Sequence, residues 1–171
     1  MPAYDFRTAS NSMRTITLLL ISGSCLCSLV VGQAMPSFLP NPKLTPGATL
    51  DVTERELCEH GFESRDRTIP ITLKIQVADR YAIGKEVAGY NVDHLIPVGL
   101  GGSNSLKNLW PQPLSGDWSY QRKNRLEVRL RKMVCSGELD LKKAQQEIAT
   151  DWVSAYKKYL GEPGPGNSSQ R

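Results

Sequence analysis

Along this chain the apolar positions change period several times, and each change marks an element. Residues 14–34, RTITLLLISGSCLCSLVVGQA, form an apolar run entered through Arg14 and closed by Gly32-Gln33-Ala34. A basic entry, an apolar middle and small residues at the exit predict a secretory signal peptide over 1–34. The run is broken by Ser and Gly and is short for a membrane span, so no stable span is expected after cleavage. Residues 35–50 carry Pro36, Pro40, Pro42 and Pro46 without any apolar period, which predicts an extended, Pro-rich linker. Thr53 with Glu56 three residues on is a capping-box pattern, so a short helix follows and ends near Gly61. Between 69 and 81 two periods compete. Ile69, Ile71, Leu73, Ile75 and Val77 alternate as in a strand, whereas Leu73, Val77 and Tyr81 keep helical spacing; a helix over 72–81, capped by Thr72, is preferred.

The densest stretch is 90–113, YNVDHLIPVGLGGSNSLKNLWPQP. Residues 91–96 predict a strand ended by Pro97, which cannot continue a central ladder. Gly99, Gly101 and Gly102, followed by Ser103 and Asn104, predict a loop, with glycine supplying positive φ values. Residues 108–110 resume an extended segment that Pro111 and Pro113 should stop. Ser115-Gly116-Asp117 then caps a helix over 118–134 with Leu126, Leu130 and Met133 inward. A last helix starts at Asp140 and keeps Leu141, Ala144, Ile148, Trp152, Ala155 and Tyr159 on one face. The order strand, loop, strand, helix, with further packing helices, predicts an α+β fold in one domain over 51–160. The Gly/Pro/Ser/Asn-rich tail, 161–171, is expected to be disordered.

Composition adds little to this picture until it is read locally. A chain of 171 residues with 40% hydrophobic content has room for one modest core. Its net charge is +4, and removing Arg7, Arg14 and Asp5 with the first 34 residues leaves +3. So mild a charge argues for no partner by itself. Between 122 and 132, however, Arg122, Lys123, Arg125, Arg129, Arg131 and Lys132 face a single acid, Glu127. Arg122, Arg125, Arg129 and Lys132 share one helix face, and these four with Lys123 are candidate phosphate contacts. Loss of residues 1–34 also removes Cys25 and Cys27, leaving Cys58 and Cys135. In an exported chain that pair reads either as a disulfide or as two buried thiols. Cysteine ligation of a metal is disfavoured, because no CxxC pair exists.

Candidate chemistry concentrates at Asp93-His94. A carboxylate is a hard ligand for magnesium or manganese, and an imidazole titrating near neutrality can accept a proton from water. Neighbours on a strand point to opposite sides. At a strand end that arrangement suits in-line attack, in which nucleophile and leaving group lie on opposite sides of phosphorus. His60, beside Gly61, reads as an exposed helix end without ligand spacing around it.

Asp93-His94, Gly101-Gly102-Ser103-Asn104, Asn108-Leu109 and Lys123-Asn124-Arg125 together resemble the HNH family of metal-dependent nucleases. Bacterial members with DHLIP, LGG, NLWP, VC-G and a terminal DW in this order are the most similar, and the likeness runs over about 46–159. The resemblance implies a ββα-metal core, with His94 as general base and Asp93 and Asn124 as ligands of a divalent metal. It implies Asn108 as the brace that holds the loop and orients the histidine. It also implies phosphodiester hydrolysis of DNA, and by extension RNA, by an exported endonuclease. Asn124 departs from the Asp that similar sequences carry there. The alternative is therefore a non-catalytic nucleic-acid-binding protein on the same fold.

Overall fold

The computed structural model describes residues 38–60, 62, 68–83 and 89–162. The expected signal peptide and residues 163–171 of the expected tail lie outside the described residues. Helix α1, Glu54–Cys58, opens on the capping box: Glu56 N donates to Thr53 Oγ1 (3.3 Å) and Thr53 N to Glu56 Oε2 (2.8 Å). It ends earlier than expected, before Gly61. Helix α2 is Ile71–Arg80. Its N-cap is Pro70, which has no N–H to satisfy, so Thr72 lies within the first turn and caps nothing. The helical period prevails over the alternation because Val77 and Ala78 turn inward, while Ile71 and Ile75 stay exposed.

Strands β1, Tyr90–His94, and β2, Leu109–Pro113, form a two-stranded antiparallel sheet pairing Val92 with Pro111, Asp93 with Trp110 and His94 with Leu109. Pro111 does not stop β2, contrary to expectation, and the strand ends at Pro113. Leu95 N donates to Asn108 O (2.7 Å) and Leu114 N to Gly89 O (2.8 Å), at the two ends of the ladder. Bonded pairs alternate between those ends. Counting inward places both prolines at non-bonded pairs, where the missing N–H removes nothing.

Helix α3, Tyr120–Cys135, starts two residues after the expected Trp118, with Ser119 and not Asp117 at its N-cap. Leu126, Leu130 and Val134 are its core face, and Met133 is only partly buried at the margin. Helix α4, Leu141–Leu160, is capped by Asp140, which accepts from Lys143 N (2.8 Å). Its predicted face holds, with Leu141, Ala144, Ile148, Trp152 and Ala155 buried in the core and Tyr159 packed against it, although the helix is broken at one residue. Asp151 is extended (φ −159°, ψ 94°), and its carboxylate accepts from the backbone N–H groups of Val153 (3.0 Å) and Ser154 (3.1 Å). Val153 and Tyr156, outside the predicted set, are also buried beside Trp152 and Ala155.

The main core joins Leu95, Ile96, Leu100 and Trp110 to α3 and α4, and a smaller cluster of Val77, Val92 and Leu109 lies under α2. Cys58 and Cys135 form a disulfide, Cα to Cα 5.4 Å, which decides between the two readings of that pair. Residues 38–50 turn at Asn41, whose carbonyl accepts from Leu44 N (3.0 Å) and Thr45 N (2.8 Å), and are not a free linker. Trp152 Nε1 donates to Phe38 O (2.9 Å), buried Thr45 Oγ1 to Leu109 O (3.0 Å) and Leu50 N to Gly101 O (2.8 Å). This strap fastens the central loop from outside. No described helix is long and apolar enough to cross a membrane.

Candidate active site

The site starts from the way β1 ends. By the pleat, His94 lies on the face of Val92 and Leu109, and Asp93 on the face of Trp110. The strand stops at His94, and Leu95 and Ile96 plunge into the core, fully or almost fully buried. Asp93 and His94 can therefore both border one cleft. This cleft, of ≈ 780 Å³, lies between the strand end, the one-turn 3-10 helix Val98–Leu100, and the flank of α3 bearing Asn124, Glu127, Arg131 and Lys132.

The loop between the strands is held from within by Asn108, which is fully buried. Its Oδ1 accepts from Ile96 N (2.9 Å) and Ala48 N (3.5 Å), and its Nδ2 donates to Ile96 O (2.9 Å) and Ser103 O (3.0 Å). Those bonds fill the carboxamide's capacity with backbone groups. Asn108 thus ties both ends of the loop to the strap, but the expected orientation of His94 falls to other residues. Gly102 is required here by close approach: a Cβ would meet Ile96 O at 1.7 Å. Only Gly101, with φ +79°, uses the positive-φ freedom expected of the loop glycines.

His94 is 5% exposed and gripped at two points. Its Nε2 lies 2.7 Å from Asn104 Oδ1, and its carbonyl accepts from Lys123 Nζ at 2.7 Å. Lys123 is fully buried and also pairs with Glu127. It cannot be the phosphate contact that the basic run suggested. Charge in a closed interior needs a partner, and this ammonium is spent on the His94 carbonyl and the Glu127 carboxylate. The spacing 123, 126, 130, 134 carried that signal, since it places Lys123 among the core-facing positions. In the sequence Asn104 reads as a turn former that closes the Gly101–Asn104 motif, and nothing in its neighbourhood distinguishes a turn former from a ring contact.

Asp93 and Glu127 share the cleft and are driven apart in acidity. Burial works against ionisation of Asp93, but hydrogen bonding with His94 and the Lys123 ammonium outweigh it and hold its carboxyl below the ordinary value. For Glu127 burial prevails over Lys123, and the Asp93 carboxylate adds to the rise. Asp93 is thus an ionised oxygen donor whose Oδ1 already accepts His94 N (2.8 Å).

Asn124 is exposed on the cleft wall one turn before Val128, so the carboxylate and amide oxygens of Asp93, Asn124 and Glu127 line one cleft, and Asp93 with Asn124 could hold a cation there. Among the described residues no group of three or more His, Cys, Asp or Glu forms a metal cage. The donor set fits magnesium or manganese, which commonly keep water and substrate oxygens beside one or two protein ligands. The remaining basic residues do not all face the cleft. At about 100° per residue, Arg122, Arg125 and Arg129 lie roughly a third of a turn around α3 from its cleft-facing side, and Lys132 joins the two surfaces. Arg122 stacks over Trp118, 5.6 Å from the ring centroid. The stripe therefore flanks the cleft.

Comparison with protein-family models, with curated proteins and with solved structures gives no match in any of the three.

Proposed function

We propose that the chain is an exported, metal-dependent endonuclease of the HNH type that hydrolyses phosphodiester bonds of DNA, and by the same chemistry RNA. The observation that carries this reading is the meeting of Asp93, His94 and Asn124 at one cleft, on a strand–loop–strand–helix unit braced by Asn108. The ββα arrangement of β1, β2 and α3 supports a ββα-metal core. Export is supported by the Cys58–Cys135 disulfide, a bond that persists in oxidising compartments.

In this reading His94 takes a proton from the attacking water, its backbone held by Lys123 and its ring by Asn104. Asp93 and Asn124 hold the divalent cation, whose chemistry there is neutralisation of charge on the phosphate and leaving oxygen. Arg125 and Arg129 beside the cleft, and Lys132 at its border, attract the nucleic-acid backbone.

Plasmid cleavage by the protein, with magnesium or manganese, with chelator, and with His94→Ala in parallel, tests the reading. Expected is nicking that needs the metal and falls about 10²- to 10⁴-fold in the variant, the usual worth of a general base. Intact plasmid under every condition, with a folded protein that still retards it in a gel, would instead favour the non-catalytic nucleic-acid-binding protein.

A further inference from the structure

The contact between Asn104 and His94 carries more information than proximity. Asn104 Nδ2 donates to Thr68 O at 3.2 Å. A carbonyl only accepts, so the NH₂ end of the amide faces Thr68 and the oxygen end faces the imidazole. An oxygen acceptor 2.7 Å from Nε2 requires that nitrogen to carry the proton. In the neutral ring the lone pair is then on Nδ1.

The surroundings of Nδ1 agree with that assignment. It lies 3.6 Å from Asp93 Oδ1, outside direct hydrogen-bond range. That oxygen already accepts the backbone N–H of His94 at 2.8 Å. At 3.6 Å the Asp93 carboxylate draws on Nδ1 less closely than Asn104 draws on Nε2 at 2.7 Å, and Nδ1 is on the side of the ring where the candidate cation ligand stands. A water bound near that ligand meets a lone pair rather than an N–H.

We propose that Asn104 is a positioning residue: its amide, oriented by the Thr68 carbonyl, locks His94 in the Nε2–H tautomer and so presents Nδ1 as the proton acceptor of the cleft. The catalytic meaning of this lock rests on the nuclease reading, but the lock itself is a property of the protein alone. It assigns the two Asn residues of the loop separate tasks, with Asn108 holding the backbone and Asn104 the ring. It also makes the backbone at Thr68 part of the machinery, through one carbonyl.

The test is a long-range ¹H–¹⁵N spectrum of the imidazoles in the uniformly labelled, metal-free protein at a pH where both rings are neutral. Only His60 and His94 contribute, and His60→Gln, a change at an exposed residue, assigns the pair. Expected for His94 is a pyrrole-type Nε2 and a pyridine-type Nδ1. Asn104→Ala should move both nitrogens toward averaged shifts and lower kcat about tenfold or more with KM little changed, whereas Asn104→Asp, which keeps an acceptor oxygen, should keep the wild-type shifts.

A pyrrole-type Nδ1 in the wild-type protein overturns the proposal directly, with no variant needed. Unchanged shifts in Asn104→Ala overturn it as well. A protein with the expected tautomer that cuts no nucleic acid would leave the lock standing and refute the nuclease. Metal-dependent cleavage with a protonated Nδ1 would do the reverse.

Discussion

Lys123 changes meaning once its helix is placed, and that change is measurable. As part of a basic run it reads as a phosphate contact; in the fold it is sealed between the His94 carbonyl and Glu127. Lys123→Met should therefore destabilise the protein by about 2–3 kcal/mol in urea, because a buried acceptor and a part-buried carboxylate lose their partner. It should leave the salt dependence of nucleic-acid binding unchanged. Exposed Arg125→Ala should do the opposite, reducing the slope of log K against log salt by about 1 with little effect on stability. Equal salt slopes in the two variants would contradict the division of the basic run into core and surface. Asp93 carries a second prediction at this scale. Its folded-state acidity is held below the ordinary value of about 3.9, so on acidification the unfolded chain takes up the proton first. The stabilisation is present above that value and is lost as pH falls through the lower folded one. Urea midpoints at pH 5 and pH 3 should therefore fall further in the wild-type protein than in Asp93→Asn, and parallel falls would count against the assigned cause.

The prolines of β2 make a sharp test of register. Pro111 sits at a non-bonded pair and Gln112 at a bonded one. Pro111→Val should cost under about 1 kcal/mol, while Gln112→Pro removes a ladder hydrogen bond and should cost about 1–3 kcal/mol beyond any packing loss. Equal denaturation midpoints would mean that the ladder is out by one residue. The same strand shows what a sequence does and does not make legible. Helix α1, the central loop and the start of α4 were legible because their boundaries are local chemistry: the Thr53–Glu56 box, the Gly-rich loop and the Asp140 cap each act on neighbouring backbone. The continuation of β2 through Pro111 was not, because whether an N–H is needed depends on the partner strand. The break at Asp151 was hidden for a related reason, since an Asp within an apolar helical period reads as a solvent-facing position until its carboxylate is seen capping Val153 and Ser154. Among site residues, Asp93 and His94 were legible by donor chemistry and Asn124 only through the family resemblance, and the structure brings the three to one cleft. Asn104 was not, because its meaning comes from the Thr68 carbonyl, 36 residues away in sequence.

At the scale of the whole molecule, the candidate site is a small sheet end made rigid by clamps that come from far along the chain. The strap from residue 38 to 50 ties Trp152 of α4, Leu109 of β2 and Gly101 of the loop into one assembly. On the other side the disulfide joins α1 to the end of α3, the helix that carries Lys123, Asn124 and Glu127. The two clamps differ in kind. The strap acts by native contacts, whereas a crosslink spanning 77 residues acts chiefly on the unfolded chain, by about 4.5 kcal/mol in the chain-entropy account. Fully buried Leu57 and the bond from Arg131 Nη2 to Leu57 O (2.9 Å) keep α1 packed on α3 without it. Reduction, or Cys58→Ser with Cys135→Ser, should therefore lower the denaturation midpoint and steepen the transition, because an uncrosslinked unfolded chain exposes more surface. The folded fraction should keep its cleavage rate when measured well below the new midpoint. Urea curves with and without reductant, paired with plasmid nicking at low temperature, separate the two effects. An unchanged midpoint would mean that the bond contributes nothing to stability. A rate that collapses while the protein stays folded would mean that the disulfide shapes the cleft itself, through Cys135 at its border.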